Sequence, residues 1–260
     1  MGENSGIEWT DHTFNPWWGC TKVSPACDHC YAESFANRVG YSAGGSRFPI
    51  WGKESQRRFF GDKHWAEPLK WNRAAEVQGV RKRVFCASMA DVMEEYGGEE
   101  SLVRETIMES RRWLYARISQ TPHLDWLLLT KRPQNFRRLL PFEWACKVPE
   151  NVWGMATVES QQYLWRAEEL AKVPFAVRGL SMEPLLGEVD LSRVLPVIDW
   201  VIAGAESGRG ARETDIEWVR SLKNQCVAAG VPFFYKQGAE NGRAIPTPEL
   251  DGTTWVQLPR

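Results

Sequence analysis

Short apolar runs alternate with segments of helical periodicity from Arg83 onward. Each run is continuously apolar rather than alternating, which is typical of strands buried on both faces of a parallel sheet. The runs predict strands at Val84–Ser88, Trp126–Thr130, Val152–Thr157, Ala176–Ser181, Trp200–Ala203 and Pro232–Tyr235, with a first strand near Thr13–Trp18.

Apolar residues at helical spacing lie between these strands and predict amphipathic helices. The residues that mark the buried faces of two such helices are Val103, Ile107, Leu114 and Ile118, and Val219, Leu222, Cys226 and Ala229. The second helix is predicted to start at a capping box of Thr214 and Glu217 and to end at Gly230. A shorter helix is predicted over Tyr31–Arg38, ending at Gly40.

The alternation of strands and helices predicts the α/β class with parallel strands. A single domain over residues 1–260, folded as a full or partial parallel β/α barrel, is the expected architecture, and a doubly wound open sheet is the alternative. The segment Tyr41–Trp71 has little apolar periodicity, and it is expected to form a long inserted loop or a small subdomain.

The composition says more about the expected cellular location of the protein than about its function. The 43% hydrophobic content supports a sizeable core, and the net charge of −1 gives no overall attraction to nucleic acid. No apolar run is long enough to span a membrane, and the N-terminal residues lack the pattern of a secretory signal. A reducing cytoplasmic location and no membrane association are therefore expected.

One segment, Arg47–Arg83, is locally basic, with ten Lys or Arg against four Asp or Glu. Aromatic residues are interleaved with these charges: Phe48, Trp51, Phe59, Phe60, Trp65 and Trp71. Cations that bind phosphates, together with aromatic planes that stack on bases, indicate a nucleic-acid surface, DNA or RNA. The alternative is a solvated loop whose aromatic residues pin it to the core.

The most informative stretch is Phe14–Glu33, which contains Cys20, Cys27 and Cys30 in a C-x6-C-x2-C arrangement. Two cysteines separated by two residues can direct both sulfurs at one metal centre. Three sulfurs leave a tetrahedral centre incomplete, and an iron–sulfur cubane held by three cysteines would keep one iron open. These three cysteines are therefore predicted to bind a [4Fe–4S] cluster.

Other interpretations of the cysteines stay open at this stage. The three thiols could be unligated, or they could bind zinc with a fourth ligand from His12, His29 or a distant cysteine. Disulfides are disfavoured by the odd local count and by the absence of a secretory signal. The remaining cysteines lie in apolar or helical contexts and are predicted to be core residues: Cys86, Cys146 and Cys226.

Polar residues follow strand after strand, and in a β/α barrel the carboxyl ends of the strands carry the chemistry. The residues at these positions are Ser88 and Asp91, Thr130 to Arg132 including Lys131, Thr157 and Glu159, Ser181 and Glu183, Glu206 and Ser207, and Lys236 and Gln237. They are predicted to form one polar rim, because buried opposite charges need mutual pairing or a polar ligand. No glycine-rich dinucleotide fingerprint and no histidine metal motif is present in the sequence.

Several sequence blocks carry a family resemblance: NPWWGCTKVSPACDHCYAE, LLTKRP, GMATVES, LSMEPLLG, WVIAGAESGRGAR and PFFYKQ. Together they resemble the phage and bacterial three-Cys-motif family, which is similar to radical S-adenosylmethionine (SAM) proteins. The resemblance covers nearly the whole chain. The C-x6-C spacing is wider than the C-x3-C that is usual among radical SAM proteins, and the usual Gly-Gly-Glu is absent at Ser88 to Asp91.

The resemblance implies a radical SAM-like iron–sulfur enzyme that uses an external electron donor to generate a 5′-deoxyadenosyl radical. Cys20, Cys27 and Cys30 would be the cluster ligands, and the residues implied in cofactor binding are His29, Ser88, Asp91, Glu159, Ser181 and Glu206. Lys131, Glu183 and Lys236 would face the substrate, expected to be a nucleic-acid base or nucleotide. The alternative is a non-catalytic, metal-stapled nucleic-acid-binding module, in which zinc or an inert cluster holds the cysteine loop in place.

Overall fold

The computed structural model describes residues 2–39, 42–43, 46–208, 210–246 and 249–259. The chain divides into two compact units. The first unit comprises Met1–Val23 and Tyr31–Leu129, and the second comprises Ser24–Cys30 and Thr130–Arg260. The short segment Ser24–Cys30, which carries two of the three clustered cysteines, therefore packs with the second unit.

The first unit contains a parallel sheet region with helices around it. Its strands are β1 (His12–Thr13), β2 (Trp17–Trp18), β3 (Ser42–Ala43), β4 (Ser46–Arg47), β5 (Arg58–Phe59), β6 (Lys82–Cys86) and β7 (Leu124–Thr130). Its helices are α1 (Tyr31–Val39), α2 (Asp62–Trp65), α3 (Glu67–Gln78) and α4 (Ser101–Ser119). Strand β6 lies between β1 and β7 and is parallel to both, whereas β2 pairs antiparallel with β5.

The core of the first unit is rich in aromatic side chains. Phe14 is buried, with its ring centroid 5.2 Å from that of Trp65 and 5.7 Å from that of Trp126. Helix α4 buries the apolar face predicted from its spacing, since Val103, Ile107, Leu114 and Ile118 are all buried. That helix prediction is confirmed.

The second unit is built on a larger sheet region. Its strands are β8 (Val152–Thr157), β9 (Val177–Met182), β10 (Trp200–Gly204), β11 (Phe233–Glu240), β12 (Arg243–Pro246), β13 (Glu249–Leu250) and β14 (Thr253–Thr254). Its helices are α5 (Phe136–Leu139), α6 (Trp165–Ala171) and α7 (Ile216–Ala229). Strands β8, β9, β10 and β11 are parallel neighbours in that order, and β12 adds to β11 as an antiparallel hairpin.

Close backbone packing fixes one glycine inside β8. A Cβ atom at Gly154 would lie 2.2 Å from the ring of Phe175, which precedes β9. The ring occupies the space that any side chain at position 154 would need, so this strand position accepts only glycine beside that phenylalanine.

The α/β class and the parallel strand arrangement predicted from the sequence are confirmed within each unit. Six predicted strands appear with their starts within two residues of the predicted positions. The predicted strand at Thr13–Trp18 is wrong as one element, because β1 ends at Thr13 and Trp17–Trp18 pairs elsewhere. The predicted capping box is also displaced by one residue, since Asp215 caps α7 by accepting a hydrogen bond from the Glu217 amide.

The segment 41–71, predicted as a loop or subdomain, contains β3, β4, β5, α2 and the start of α3. Helix α3 buries only three residues (Pro68, Trp71 and Ala75), which explains why its sequence shows little apolar periodicity. Tyr41, Gly44 and Gly45, on which part of that prediction rested, lie outside the described residues, and so does Gly40, the predicted end of the helix over Tyr31–Arg38.

Candidate functional site

Two of the clustered cysteines lie on a short turn in the second unit. A single 3-10 turn spans Pro25–Cys27, and the Cys27 amide donates to the Ser24 carbonyl at 2.9 Å. The thiols of Cys27 and Cys30 are half-buried, unlike typical core cysteines. The turn therefore presents two thiols to the surroundings at the two-residue spacing that metal centres use.

Glu206, two residues beyond β10, is the anchor of this turn. Its buried carboxylate accepts from Arg212 through Nε at 3.0 Å and through Nη2 at 2.5 Å, a bidentate pairing. The Arg212 backbone amide adds a third hydrogen bond at 3.1 Å. His29 Nδ1 lies 3.2 Å from the same carboxylate and 3.1 Å from the Gly210 carbonyl.

Arg212 also reaches the cysteine turn itself. Its Nη2 donates to the Pro25 carbonyl at 3.0 Å, so one guanidinium joins Glu206 to the start of the 3-10 turn. The hydrogen bond to Glu206 raises the pKa of Arg212 above its ordinary value, which keeps the guanidinium charged. The turn that carries Cys27 and Cys30 is thus tied to the carboxyl end of β10.

A second charged group joins Glu183, directly after β9, to Lys236, which lies within β11 and not after it as the sequence predicted. Lys236 Nζ is 2.8 Å from Glu183 Oε1, and the Ser181 hydroxyl donates to Glu183 Oε2 at 3.4 Å. Gly204 makes room for this carboxylate, because a Cβ there would lie 3.1 Å from Glu183 Oε1. The pair is only partly buried, with 11% of the Glu183 and 19% of the Lys236 side chain exposed. Lys131, which follows β7, is half-buried in the same unit.

Glu159, two residues after β8, forms a fully buried ion pair. Its Oε2 accepts from Arg166 Nη1 at 2.7 Å, and that guanidinium lies over the Tyr163 ring. The other carboxylate oxygen, Oε1, is buried without a hydrogen-bond partner among the described residues. A buried anionic oxygen without a donor is costly, so it marks a position where a ligand or water could donate.

In the first unit, the candidate residues after β6 are buried and hydrogen-bonded. Asn15 donates to the Ser88 hydroxyl at 3.1 Å and accepts from the Met89 amide at 2.7 Å. Asp91 accepts from the Met93 amide at 2.9 Å, which shapes the turn that follows the strand. These contacts place Ser88 and Asp91 firmly at the carboxyl end of β6.

Cys20, the third clustered cysteine, belongs to the first unit and is half-buried. Its carbonyl accepts from the Gly52 amide at 2.9 Å, and the preceding Gly19 amide donates to the Met89 carbonyl at 2.9 Å. Gly19 has a φ of +114°, and a Cβ there would lie 2.2 Å from the Ile50 carbonyl oxygen. Only glycine allows this close approach, which fixes the backbone beside Cys20.

The donor chemistry of the three clustered cysteines fits a metal centre. All six cysteines of the chain are thiols rather than disulfides, and the three clustered ones are half-buried. Among the residues that the structure describes, no group of three or more His, Cys, Asp or Glu side chains is already arranged to bind a metal ion. The donor types and the C-x2-C spacing are those of metal ligands, and the joint binding of one centre by all three cysteines rests on the sequence alone.

The cysteines predicted as core residues divide in the structure. Cys86 and Cys226 are fully buried, and burial raises the pKa of both thiols, that of Cys226 to about 12. The prediction for Cys146 is wrong, because this residue is exposed shortly after a 3-10 turn at Phe142–Trp144. Its apolar neighbours in the sequence gave a misleading signal.

The structure also limits the prediction that the basic aromatic segment Arg47–Arg83 forms a nucleic-acid surface. Arg57 is fully buried and pairs with Glu94 at 3.0 Å, so it cannot contact a polyanion. Trp65 and Trp71 are buried as well. The Trp71 ring stacks on the His12 ring, with 4.6 Å between the ring centroids. These residues hold the segment to the core, as the alternative interpretation expects. The side chain of Arg47 lies outside the described residues.

A smaller part of that segment stays accessible. Arg58 is half-buried, with its guanidinium 4.6 Å from the Trp18 ring and 5.2 Å from the Phe60 ring. Trp18 and Phe60 are themselves half-buried, and Phe48 is exposed. One of these rings, Trp18, lies two residues before Cys20 along the chain.

Sequence reasoning missed three residues that organise these groups: Asn15, Arg166 and Arg212. Asn15 precedes Pro16 in the cysteine stretch, so a polar residue in an otherwise apolar, buried run was its only signal. No sequence pattern identifies Arg166 or Arg212. Each pairs with its glutamate because of the tertiary fold, and not because the two residues are spaced by one helical turn.

No helix in the described ranges is long and apolar enough to cross a membrane. No curated protein and no solved structure matches the chain. The model of one family, described as Protein of unknown function (DUF5131), matches residues 4–259, and since this covers nearly the whole chain, the protein belongs to that family.

Proposed function

We propose that the protein is a radical SAM-like iron–sulfur enzyme on a partial β/α barrel, with a [4Fe–4S] cluster bound by Cys20, Cys27 and Cys30. The observation that carries the proposal is the tethered turn at the carboxyl end of β10, which presents two half-buried thiols there. In β/α architectures this end of the strands carries the chemistry.

Three cysteine ligands leave one iron open to a cofactor. When bound, such a cluster supplies the electron that splits the sulfonium of SAM and releases a 5′-deoxyadenosyl radical, with an external donor restoring the electron. The chain supplies binding, orientation and exclusion of water. Arg212 and Glu206 hold the turn, and the exposed ring of His29 is fixed at Nδ1 by Glu206 and Gly210.

The polar residues at the strand ends would bind the cofactor and the substrate. Glu159 Oε1 has an unused acceptor site, which suits an amino or hydroxyl group of the cofactor. Ser181, Ser88 and Asp91 are the further cofactor candidates. Glu206 is already paired with Arg212, so its role in the proposal is to position the turn rather than to contact the SAM amino group.

Lys131, Glu183 and Lys236 are the substrate-facing candidates of the second unit. The Glu183–Lys236 pair is partly exposed and close enough for proton exchange at 2.8 Å, which suits acid–base work on a polar substrate. The substrate class we propose is a nucleic-acid base or nucleotide. Arg58 with the accessible rings of Trp18 and Phe60 supports it, because cation and ring together suit phosphate and base.

Anaerobic reconstitution with iron and sulfide tests the proposal. We expect about four irons per chain, a broad absorption near 400 nm, and 5′-deoxyadenosine on reduction in the presence of SAM. Cys27→Ser and Cys30→Ser should lose iron and absorption, whereas the exposed Cys146→Ser is a matched control that keeps both.

Two outcomes would overturn this assignment. A cluster-loaded protein that neither binds nor cleaves SAM is not a radical SAM enzyme. Stoichiometric zinc without visible absorption would instead support the non-catalytic, metal-stapled nucleic-acid-binding module.

A further inference from the structure

We propose that Arg212 is a positioning residue, which acts as a clasp that holds the Cys27–Cys30 turn in place before any cluster binds. Its guanidinium has two separate tasks. It makes a bidentate pair with Glu206 at the end of β10, and it donates to the Pro25 carbonyl at the start of the turn.

The geometry makes the clasp a pre-ordering device. Glu206 is 4% exposed, so its carboxylate is a buried anion that needs a cation, and Arg212 supplies it while itself 30% exposed. Bidentate guanidinium–carboxylate pairs are directional, which sets the angle at which Nη2 meets the turn. His29 closes the other side, since its Nδ1 reaches both Glu206 and the Gly210 carbonyl.

Local factors alone would order the turn weakly. The 3-10 helix is one turn of three residues, and its N-cap residue, Ser24, makes no side-chain capping hydrogen bond. Loops of this kind are usually mobile unless they are tied by side chains. Removing Arg212 therefore releases the turn at its amino end and leaves Glu206 buried with His29 as its remaining side-chain partner.

Only the consequence of the clasp, faster cluster loading and slower cluster loss, rests on the function proposed above. The clasp itself is a property of the metal-free protein. It can be measured there by hydrogen exchange of residues 24–30 and by the alkylation rates of Cys27 and Cys30. Within the same chain, exposed Cys146 reports intrinsic thiol reactivity, and fully buried Cys226 reports global unfolding.

In Arg212→Ala we expect hydrogen exchange over residues 24–30 to accelerate about tenfold or more, because charge-assisted hydrogen bonds are lost. Alkylation of Cys27 and Cys30 should accelerate relative to Cys146, while Cys226 stays protected. Arg212→Lys keeps the charge but cannot bridge both partners, so it should show the same loosening and guards against a variant that fails to fold.

Arg220→Ala is the matched control, because Arg220 also pairs with carboxylates of the second unit, Asp251 and Glu217, but does not touch the turn. Equal exchange and alkylation in wild type and both Arg212 variants, or the same loosening in Arg220→Ala, would overturn the clasp. In reconstituted protein, Arg212→Lys should lose iron to a chelator faster than wild type. Wild-type protein that binds no cluster would contradict the proposed function and leave the clasp result standing.

Discussion

The guanidinium of Arg57 lies 3.0 Å from Glu94 Oε1, and neither side chain has any solvent exposure. The same guanidinium donates to the carbonyls of Ile50, Ser55 and Gly52, which gathers the segment before β5 around one buried cation. This pair contrasts with Glu183 and Lys236, a pair of similar length that is partly exposed.

That contrast predicts unequal stability effects. Glu94→Gln should lower the free energy of unfolding by about 3–5 kcal/mol, because it leaves a buried guanidinium without its counter-charge. Glu183→Gln, the matched variant, should cost less, since part of both side chains in that pair stays exposed to water. Urea unfolding followed by tryptophan fluorescence measures both, and equal losses would contradict this assignment of burial.

Arg57 and Arg58 are neighbours with separate roles, which predicts separable variants. Arg58→Glu should weaken binding of labelled single-stranded DNA or RNA about tenfold at low salt, because the side chain lies beside accessible rings. Arg57→Met should instead lower the unfolding midpoint. Arg220→Glu makes the same charge change in the second unit and is the control. If Arg58→Glu and Arg220→Glu weaken binding equally, or no binding occurs, the Arg58 surface is not the nucleic-acid contact.

Burial should keep one thiol unreactive as the pH is raised from about 7 to 9, toward the ordinary pKa of a free thiol. The exposed thiol of Cys146 is the reference within the same chain. Cys226 should stay unreactive over that range because burial raises its pKa to about 12. Alkylation followed by peptide mass spectrometry separates the sites. Labelling of Cys226 at the Cys146 rate in folded protein would be incompatible with its burial.

The same shifts give a direction for alkaline stability. The unfolded chain releases its thiol protons near pH 8.5, whereas folded Cys86 and Cys226, both with raised pKa values, hold theirs. Their stabilising contribution is therefore complete below about pH 8.5 and falls as the pH rises above it. Cys226→Ala should flatten the fall between about pH 9 and 12 in denaturation midpoints, and a fall unchanged by that substitution would argue against thiol linkage.

The start of α7 gives a test of the displaced cap. Asp215→Ala should cost about 1 kcal/mol of stability, because its side chain accepts from the Glu217 amide at 2.9 Å. Asp215→Asn keeps an acceptor and should cost little. Thr214→Ala removes a different bond, the donation to the Leu185 carbonyl at 3.2 Å. A larger loss in Thr214→Ala than in Asp215→Ala would favour the cap expected from the sequence.

Elements with a strong apolar signal were predictable from the sequence. Strand β8 matches its predicted bounds, Val152–Thr157, because a continuous apolar run bounded by polar residues has few other solutions. Helix α7 ends as predicted at Gly230, whose φ of +68° is the left-handed conformation that glycine favours. Helix α3 was missed because it contacts the core through few residues.

The candidate site was less predictable, for a physical reason. Strand order places Glu159, Glu183 and Glu206 at strand ends, and the sequence shows that much. The partner of each depends on three-dimensional packing: Arg166 for Glu159, Lys236 for Glu183 and Arg212 for Glu206. Likewise, Arg57 and Arg58 are adjacent in the sequence, and the sequence around them does not show that the first is buried and the second accessible.

The contact between Gly154 and Phe175 has a consequence for sequence variation across the family. Since the phenylalanine ring fills the space of a Cβ at position 154, a relative with alanine or a larger residue there needs a smaller residue at 175. The two positions are therefore expected to covary, with glycine retained wherever the aromatic ring is retained. This coupling links a position within β8 to the residue that leads into β9. A substitution at either position is therefore expected to require a compensating substitution at the other.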